Sequence, residues 1–466
     1  MKKSPTSDFL PSDLAVPFGV VVAFALVLSV TGGTSHWNVI HLAFLRAFSA
    51  LVLIPAVYYI STRQLLLHAH LIIFYAMLAI WMSIQLVPLP TAWLGGFESA
   101  LGDASSKAQV LTQSTTRSIS WVPIRGWNAL AALIVPIAAL ALALALKSTS
   151  RLLLVLIIGL GLADSFMGIV QSISGGLDGL YLYRMRNPGS ADGLFSNENH
   201  SGVFSAIVML VCTRLIVENS RRAGTAYINL VCSGVFCLSL LSVLVGGSRA
   251  GLATGLFALS VGFGMVLIAL QPAATETRFA SWLNRIASYR WIPAFSLAGT
   301  ALLLVAVFWL FDRAPGLREY LSRDTFEDLR WSIYPIVAEM TADHWFLGIG
   351  FGSFEEVYHL YETSDLLFPR FINQAHNDWL QFPLEGGLPA VTIAAGLLAW
   401  IVKSCVTLTT GGRDHVLLFV FWSAVFAILC LASFIDYPLR APITQVVATW
   451  LLVCLGCDRM DKSQNL

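Results

Sequence analysis

Three residues of the sequence, Arg249, Arg330 and His376, have side chains suited to chemistry at a phosphate and a hydroxyl group. Arginine binds phosphate oxygens in a planar, bidentate way that lysine cannot match. An unperturbed histidine titrates near pH ~6.5, which suits a general base for a hydroxyl. The arginines therefore suggest an anionic ligand, and the histidine is a candidate base.

Arg249 lies in "VLVGGSRAGLATGLF", where one apolar run ends and the next begins. Ser248 is a good cap for the helix that follows. The start of a helix favours anions, so an anion there would be held by free N–H groups and by the guanidinium together. The alternative is an arginine at the membrane interface that binds lipid phosphate.

Arg330 and His376 both fall in a long polar segment. Arg330 lies on a predicted helix, one turn before Tyr334, and could equally belong to a solvated face. Pro335 predicts a kink or break of that helix near Tyr334. His376 lies in "NQAHNDWLQF", where Asn377 could orient it or cap the following helix; the alternative is an ordinary polar surface.

A second polar motif, "GLFSNENHSGVF", precedes another apolar run. Its amides, Asn197 and Asn199, could bind sugar hydroxyls or cap the helix. His200 is a second histidine that could replace or assist His376. No histidine cluster has the spacing of a zinc site, so we expect no metal and no cofactor.

Composition identifies the elements that must position these residues. Only 12% of the 466 residues are charged, against about 25% in soluble domains, and the mean hydropathy is +0.74. A net charge of +1 gives no indication of nucleic-acid binding. We predict an all-α polytopic membrane protein with about twelve transmembrane helices, because backbone groups in lipid must be satisfied internally. The predicted spans are 15–31, 39–60, 70–89, 128–147, 152–173, 200–216, 226–246, 250–270, 291–311, 388–405, 415–435 and 441–457.

The distribution of basic residues predicts the orientation. Five of the six lysines fall on one side, which places both termini in the cytoplasm. Two long loops, at about 90–127 and 312–387, then lie on the outer side of the membrane. The second, between spans nine and ten, is predicted to be partly helical. Arg46 and Asp164 fall within spans and could pair with each other.

The order of several short motifs resembles that of the O-antigen ligase and polymerase superfamily. The motifs are the glycine-flanked Ser248–Arg249, a loop arginine followed by tryptophan, "FLGIGFGSF", "HNDWLQFPLEGGLPA" and "DYPLRAP". They predict an N-terminal transmembrane part at 1–190, a ligase- or polymerase-like core at 191–457 and a cytoplasmic tail at 458–466.

The resemblance implies an enzyme of the bacterial inner membrane that acts on the periplasmic face. It implies that Arg249 and Arg330 bind the diphosphate of a polyprenyl-diphosphate-linked saccharide. It implies that His376 activates a hydroxyl of lipid A-core or of another saccharide, with inversion and without a metal. The remaining candidate substrate-binding residues are Ser248, Asn197, Asn199, His200, Asn377 and Arg440.

Several alternatives remain open at this point. The motifs do not separate an O-antigen ligase from an O-antigen or exopolysaccharide polymerase, or from an enzyme that glycosylates protein. A twelve-span secondary transporter is the alternative from another class. Such transporters often have two similar halves, whereas the halves of this chain look unlike.

Overall fold

The computed structural model describes most of the chain, with gaps. The described residues are 14–36, 38–94, 116–147, 149–175, 177–184, 190–219, 226–270, 324–366, 372–410 and 412–464. The predicted span at 291–311 lies outside them. So do parts of both predicted long loops.

The described residues are almost entirely helical. The helices are α1 (Ala15–Thr31), α2 (Ile40–Tyr59), α3 (Thr62–Leu67), α4 (Ala69–Leu86), α5 (Thr91–Leu94), α6 (Pro123–Ala132), α7 (Ile134–Ala145), α8 (Ser150–Ile173), α9 (Glu198–Asn219), α10 (Ala226–Val245), α11 (Arg249–Leu270), α12 (Asp324–His344), α13 (Phe354–Tyr361), α14 (Asp378–Thr409), α15 (Arg413–Ile435) and α16 (Pro442–Gln464). Short 3₁₀ turns cover Asp178–Leu180, Ser364–Leu366 and Pro438–Arg440. Two antiparallel two-residue strands, β1 (Leu89–Pro90) and β2 (Thr116–Arg117), pair Leu89 with Arg117.

Within the described residues, every predicted span coincides with an apolar helix, and α6 and α7 together form one. Ten of these helices are long and apolar enough to cross a bilayer, and α1 is a shorter apolar helix. The prediction of an all-α polytopic membrane protein is confirmed.

Helix α9 lies at the centre of the bundle. It packs against α8, α10, α11 and α15, and 94% of its most apolar 18-residue stretch is buried inside the protein. A helix that is apolar all round can be buried on every side. Its closest neighbour is α11: a Cβ on Gly202 would lie 2.6 Å from the Cα of Gly251. Only glycine allows this approach, which brings the first turns of α9 and α11 together.

Helix α14 consists of two pieces. Gly387 has φ +62° and separates a short helix, which begins at Asp378, from the long apolar helix that follows. This conformation favours glycine because it has no Cβ. The short piece therefore lies at the end of the bundle, and the apolar part begins where the span at 388–405 was predicted.

Helices α12 and α13 form a lobe beside the short piece of α14. Ile333, Val337 and Met340 of α12 pack with Phe354 and Tyr358 of α13 in a small apolar core. The helix continues through Pro335, so the expected break near Tyr334 is wrong, and a kink there stays a prediction. Packing of the apolar stripe on both sides of the proline is enough to offset the hydrogen bond that proline cannot make.

Arg46 and Asp164 do not pair with each other. Arg46 donates from Nη1 to Asn128 at 2.6 Å. Asp164 accepts from the Leu194 backbone N–H at 2.8 Å and from the Ser201 hydroxyl at 3.0 Å. The two side chains have separate partners, so the expected pair is wrong.

Candidate active site

Asp436 is the centre of a polar network at one end of the bundle. It follows α15, it is 2% exposed, and its Oδ1 lies 3.1 Å from Nδ1 of His376. Its Oδ2 accepts from the amides of Asn199 at 2.8 Å and Asn197 at 3.3 Å. Nε2 of His200 lies 3.9 Å from the same oxygen. We call this end of the molecule the site end.

The Asp436 carboxylate determines which nitrogen of His376 carries the proton. A carboxylate only accepts hydrogen bonds, so Nδ1–H of His376 donates and Nε2 keeps its lone pair. Among the described residues, no hydrogen bond to Nε2 is found. The side chain is 21% exposed, so the ring is held on one edge and remains accessible on the other.

The backbone of His376 has an uncommon conformation. Its φ is +50°, a region that non-glycine residues rarely occupy and that often marks functional sites. Contacts on both sides hold it there: the Ala375 N–H donates to Oε1 of Gln381, and the Tyr334 hydroxyl donates to the His376 carbonyl at 3.1 Å. The Tyr437 ring packs edge-on against His376, with centroids 4.9 Å apart.

Asn377 caps helix α14. Its side-chain oxygen accepts from the Leu380 N–H at 3.1 Å, and the residue is 1% exposed. This contact agrees with the capping alternative that the sequence left open. The cap fixes the start of α14 directly after His376.

Ser248 connects the start of α11 to the network. Its hydroxyl oxygen accepts from the Gly251 N–H at 2.8 Å, which confirms the predicted cap. The hydroxyl also donates to Oδ1 of Asn199 at 2.6 Å. A continuous series of side-chain hydrogen bonds thus runs from Ser248 through Asn199 and Asp436 to His376.

Arg249 is the first residue of α11 and is exposed. The turn before it requires Gly247, which has φ +71°. A cation is disfavoured at this end of a helix, whereas an anion is favoured. The starts of α9 and α11 meet at the Gly202–Gly251 contact, so two helix starts and one arginine favour an anion in this region.

Arg330 lies on α12, and the position of its side chain is outside the described part of the structure. The backbone nevertheless places it near the network. The Tyr334 hydroxyl, one turn later, donates to the His376 carbonyl at 3.1 Å, and the Phe434 carbonyl oxygen lies 3.4 Å from the same hydroxyl. The turn of α12 that carries Arg330 is therefore adjacent to the one anchored at the site end.

Arg440 lies close to the network but contacts other carboxylates. It donates from Nε to Asp378 at 3.0 Å and from both terminal nitrogens to Glu385 at 3.2 Å. Burial would lower the pKa of the guanidinium, but the two carboxylates outweigh burial and raise that pKa above its usual value. These contacts fix the turn after Asp436 to the short piece of α14.

His200 is 2% exposed and lies behind Asp436 rather than beside His376. Its ring packs edge-on against Tyr437, with centroids 5.0 Å apart, and against Phe195 at 6.2 Å. Of the two histidines, His376 is therefore the one with an accessible edge. Tyr437 lies between the two rings and contacts both.

Sequence reasoning assigned no role to Asp436 or to Tyr437. Both belong to the "DYPLRAP" motif, which was noted only for its resemblance. A signal was present, because an acidic residue directly after an apolar span requires a partner. The partner could not be read from the sequence, since His376 is 60 positions away.

Residues 234–395 match the model of the O-antigen ligase family. The matched range includes Ser248, Arg249, Arg330 and His376, whereas Asp436 lies outside it. No curated protein matches the chain. The family match confirms the predicted resemblance to the O-antigen ligase and polymerase superfamily. It also supports a membrane enzyme of ligase or polymerase type.

Proposed function

We propose that the protein transfers a saccharide from a polyprenyl diphosphate carrier to a hydroxyl of lipid A-core. The match of residues 234–395 to the model of the O-antigen ligase family supports this proposal. The observation that carries the proposal is the hydrogen bond between His376 and Asp436, 3.1 Å long, beside the start of α11. Through Asp436 and Asn199, this hydrogen bond connects the base, His376, to Ser248 at the start of α11, where an anion is favoured.

His376 acts as the general base. Its Nε2 removes the proton of the acceptor hydroxyl while the hydroxyl oxygen attacks the anomeric carbon. Asp436 holds the ring in the required tautomer and stabilises the imidazolium that forms. A positioned general base contributes about 10²- to 10⁴-fold to the rate.

The diphosphate is the leaving group. The bond between the anomeric carbon and the phosphate oxygen breaks with inversion, and negative charge develops on the diphosphate. Arg249, Arg330 and the N–H groups that begin α11 stabilise that charge. Arginines perform the neutralisation, so the proposed reaction uses no metal and no cofactor.

The other candidate residues position these groups and line the saccharide site. Ser248, Asn197, Asn199 and His200 surround Asp436, and Asn377 and Arg440 fix the segments on either side of it. Removal of an amide from this set would therefore affect both saccharide binding and the orientation of His376.

In the cell, we propose a location in the bacterial inner membrane with both termini in the cytoplasm. The site end then faces the periplasm, where the lipid-linked donor and the lipid A-core acceptor would both be reached from the bilayer. The bias of lysines towards the other side supports this orientation.

A deletion strain tests the proposal. Its lipopolysaccharide is separated on a gel, and its polyprenyl-linked sugars are extracted. Loss of the whole ladder, with long polymer left on the carrier, is expected for a ligase. Core with a single repeat would instead mean a polymerase. An unchanged ladder would overturn lipid A-core as the acceptor.

Chelation tests the chemistry separately. Transfer by the purified protein is expected to survive EDTA, because no step requires a cation. Loss of transfer in EDTA, with recovery on addition of Mg²⁺, would contradict the proposed role of the arginines.

A further inference from the structure

The short segment between α1 and α2 lies against the candidate active site. The Ile443 N–H donates to the Gly32 carbonyl, and the Ser196 N–H donates to the Gly33 carbonyl, both at 3.0 Å. The Gly33 N–H donates to the Tyr183 hydroxyl at 2.8 Å. These bonds tie residues 32–36 to the start of α16 and to the segment before Asn197.

His36, at the end of this segment, contacts the loop that carries His376. Its Nδ1 lies 3.1 Å from Nδ2 of Asn373, three residues before His376. The backbone N–H of His36 donates to the hydroxyl of Thr34, which is fully buried. His36 is thus held both by its own turn and by the loop that carries His376.

The contact with Asn373 sets the tautomer of His36. An amide nitrogen only donates, so Nδ1 of His36 accepts and the ring proton lies on Nε2. Burial lowers the pKa of the His36 imidazole, which keeps the ring neutral near pH ~7. Among the described residues, no hydrogen bond from Nε2 of His36 is found.

The two histidines of this loop region are therefore in opposite tautomers. His376 donates from Nδ1 to a carboxylate and presents a lone pair at Nε2. His36 accepts at Nδ1 from an amide and presents an N–H at Nε2. One ring can take a proton, and the other can offer a hydrogen bond without carrying charge.

We propose that His36 is a saccharide-binding residue whose Nε2–H donates to a hydroxyl oxygen of the substrate. This inference rests on the proposed transferase function. A neutral donor fits a neutral sugar hydroxyl, whereas the diphosphate has the arginines as partners. The hydroxyl belongs either to the transferred saccharide or to the acceptor.

Two substitutions separate binding from structure. In His36→Asn, the side-chain oxygen can still accept from Asn373, but no donor reaches the ε position. In His36→Gln, the amide nitrogen can occupy the ε position and donate. Steady-state transfer by the purified full-length protein is measured with a polyprenyl-diphosphate-linked saccharide and lipid A-core, each varied in turn.

The expected result for His36→Asn is a rise of about 2- to 10-fold in the KM of one substrate, with kcat unchanged. His36→Gln is expected to recover most of that loss. A raised KM for the donor assigns the hydroxyl to the transferred saccharide, and a raised KM for the acceptor assigns it to lipid A-core.

Other outcomes overturn the inference. If the wild-type protein is active and the KM values of His36→Asn are unchanged, then His36 does not contact the saccharide. The proposed function would still stand. Equal losses of kcat in both variants, without rescue by glutamine, would mean a structural histidine. No transfer by the wild-type protein would overturn the proposed function and, with it, this contact.

Discussion

Two buried acidic residues at opposite ends of the bundle have different surroundings. At the site end, Asp436 accepts from an imidazole and two neutral amides. At the other end, Asp458 of α16 accepts a bidentate pair of bonds from Arg214 of α9, at 2.8 and 2.9 Å. Trp422 also donates to Asp458 at 2.8 Å.

The comparison separates a structural ion pair from a reactive group. Arg214 bonds Glu218 as well and packs over the rings of Phe421 and Trp422, so its charge is matched within the protein. Asp436 is bonded to a ring that can gain a proton and become its counter-charge. We infer that the first arrangement holds helices together, and that the second is arranged for a change of charge during a reaction.

Replacement of the base would have the largest effect on activity. His376→Ala is expected to slow saccharide transfer by about 10²- to 10⁴-fold, because the substitution removes the group that accepts the proton of the hydroxyl. Transfer is measured with the purified protein in detergent or in vesicles. His359→Ala is the matched control, since His359 lies on α13, away from the Asp436 network, with its side chain 37% exposed and bonded to Glu362. Near-normal transfer by His376→Ala would contradict the assignment of the base.

Replacement of the structural pair would have the largest effect on stability. Arg214→Ala leaves Asp458 buried without its partner, which costs about 3–5 kcal/mol. We expect a lower melting temperature but an unchanged rate per folded molecule. Thermal unfolding in detergent measures the first, and transfer normalised to folded protein measures the second. Arg63→Ala, on the exposed face of α3, is the control. A loss of transfer rate in Arg214→Ala without a loss of stability would contradict the assignment of a purely structural role to the Arg214–Asp458 pair.

The Asp436 carboxylate can be neutralised with almost no change of shape. Asp436→Asn is expected to slow transfer by about 10²-fold, because an amide can donate to Nδ1 of His376 and so favour the wrong tautomer. The melting temperature should change less than in Arg214→Ala. An unchanged rate with a large loss of stability would mean that both ends of the bundle are structural.

The cap that connects α11 to the network would have a smaller effect. Ser248→Ala removes a cap, which costs about 1 kcal/mol, and removes a donor to Asn199. A modest fall in both melting temperature and transfer rate is expected. Ser260→Ala, further along α11, removes only a bond to the Leu256 carbonyl of the same helix. Equal effects of the two substitutions would argue against a connection from Ser248 to the site.

The sequence predicted much of the fold because apolar length alone identifies membrane helices. Apolar length alone placed the start of one predicted span at 388, and the structure has the non-helical residue Gly387 directly before it. The break at Pro335 was wrong because packing on both sides of the proline maintains the helix. The pairing of Arg46 with Asp164 was wrong. A charge within a span requires a partner, but the sequence alone does not identify that partner.

The candidate site could be predicted only in part. Ser248, Arg249 and His376 were identified from local context, which includes a helix start, flanking glycines and a polar cluster. Asp436 and the contact between His36 and Asn373 depend on the packing of distant helices. The approach of α9 to α11 at Gly202 and Gly251 is one such contact, and it determines that Asn199 meets Ser248.

The most direct test of the central claim is the rate of saccharide transfer by the purified wild-type protein, His376→Ala, Asp436→Asn and the double variant. The account predicts transfer by the wild-type protein and a double variant no slower than His376→Ala, because Asp436 acts through His376. Losses that multiply in the double variant would contradict the joint action of the two residues. No transfer by the wild-type protein would contradict the function itself.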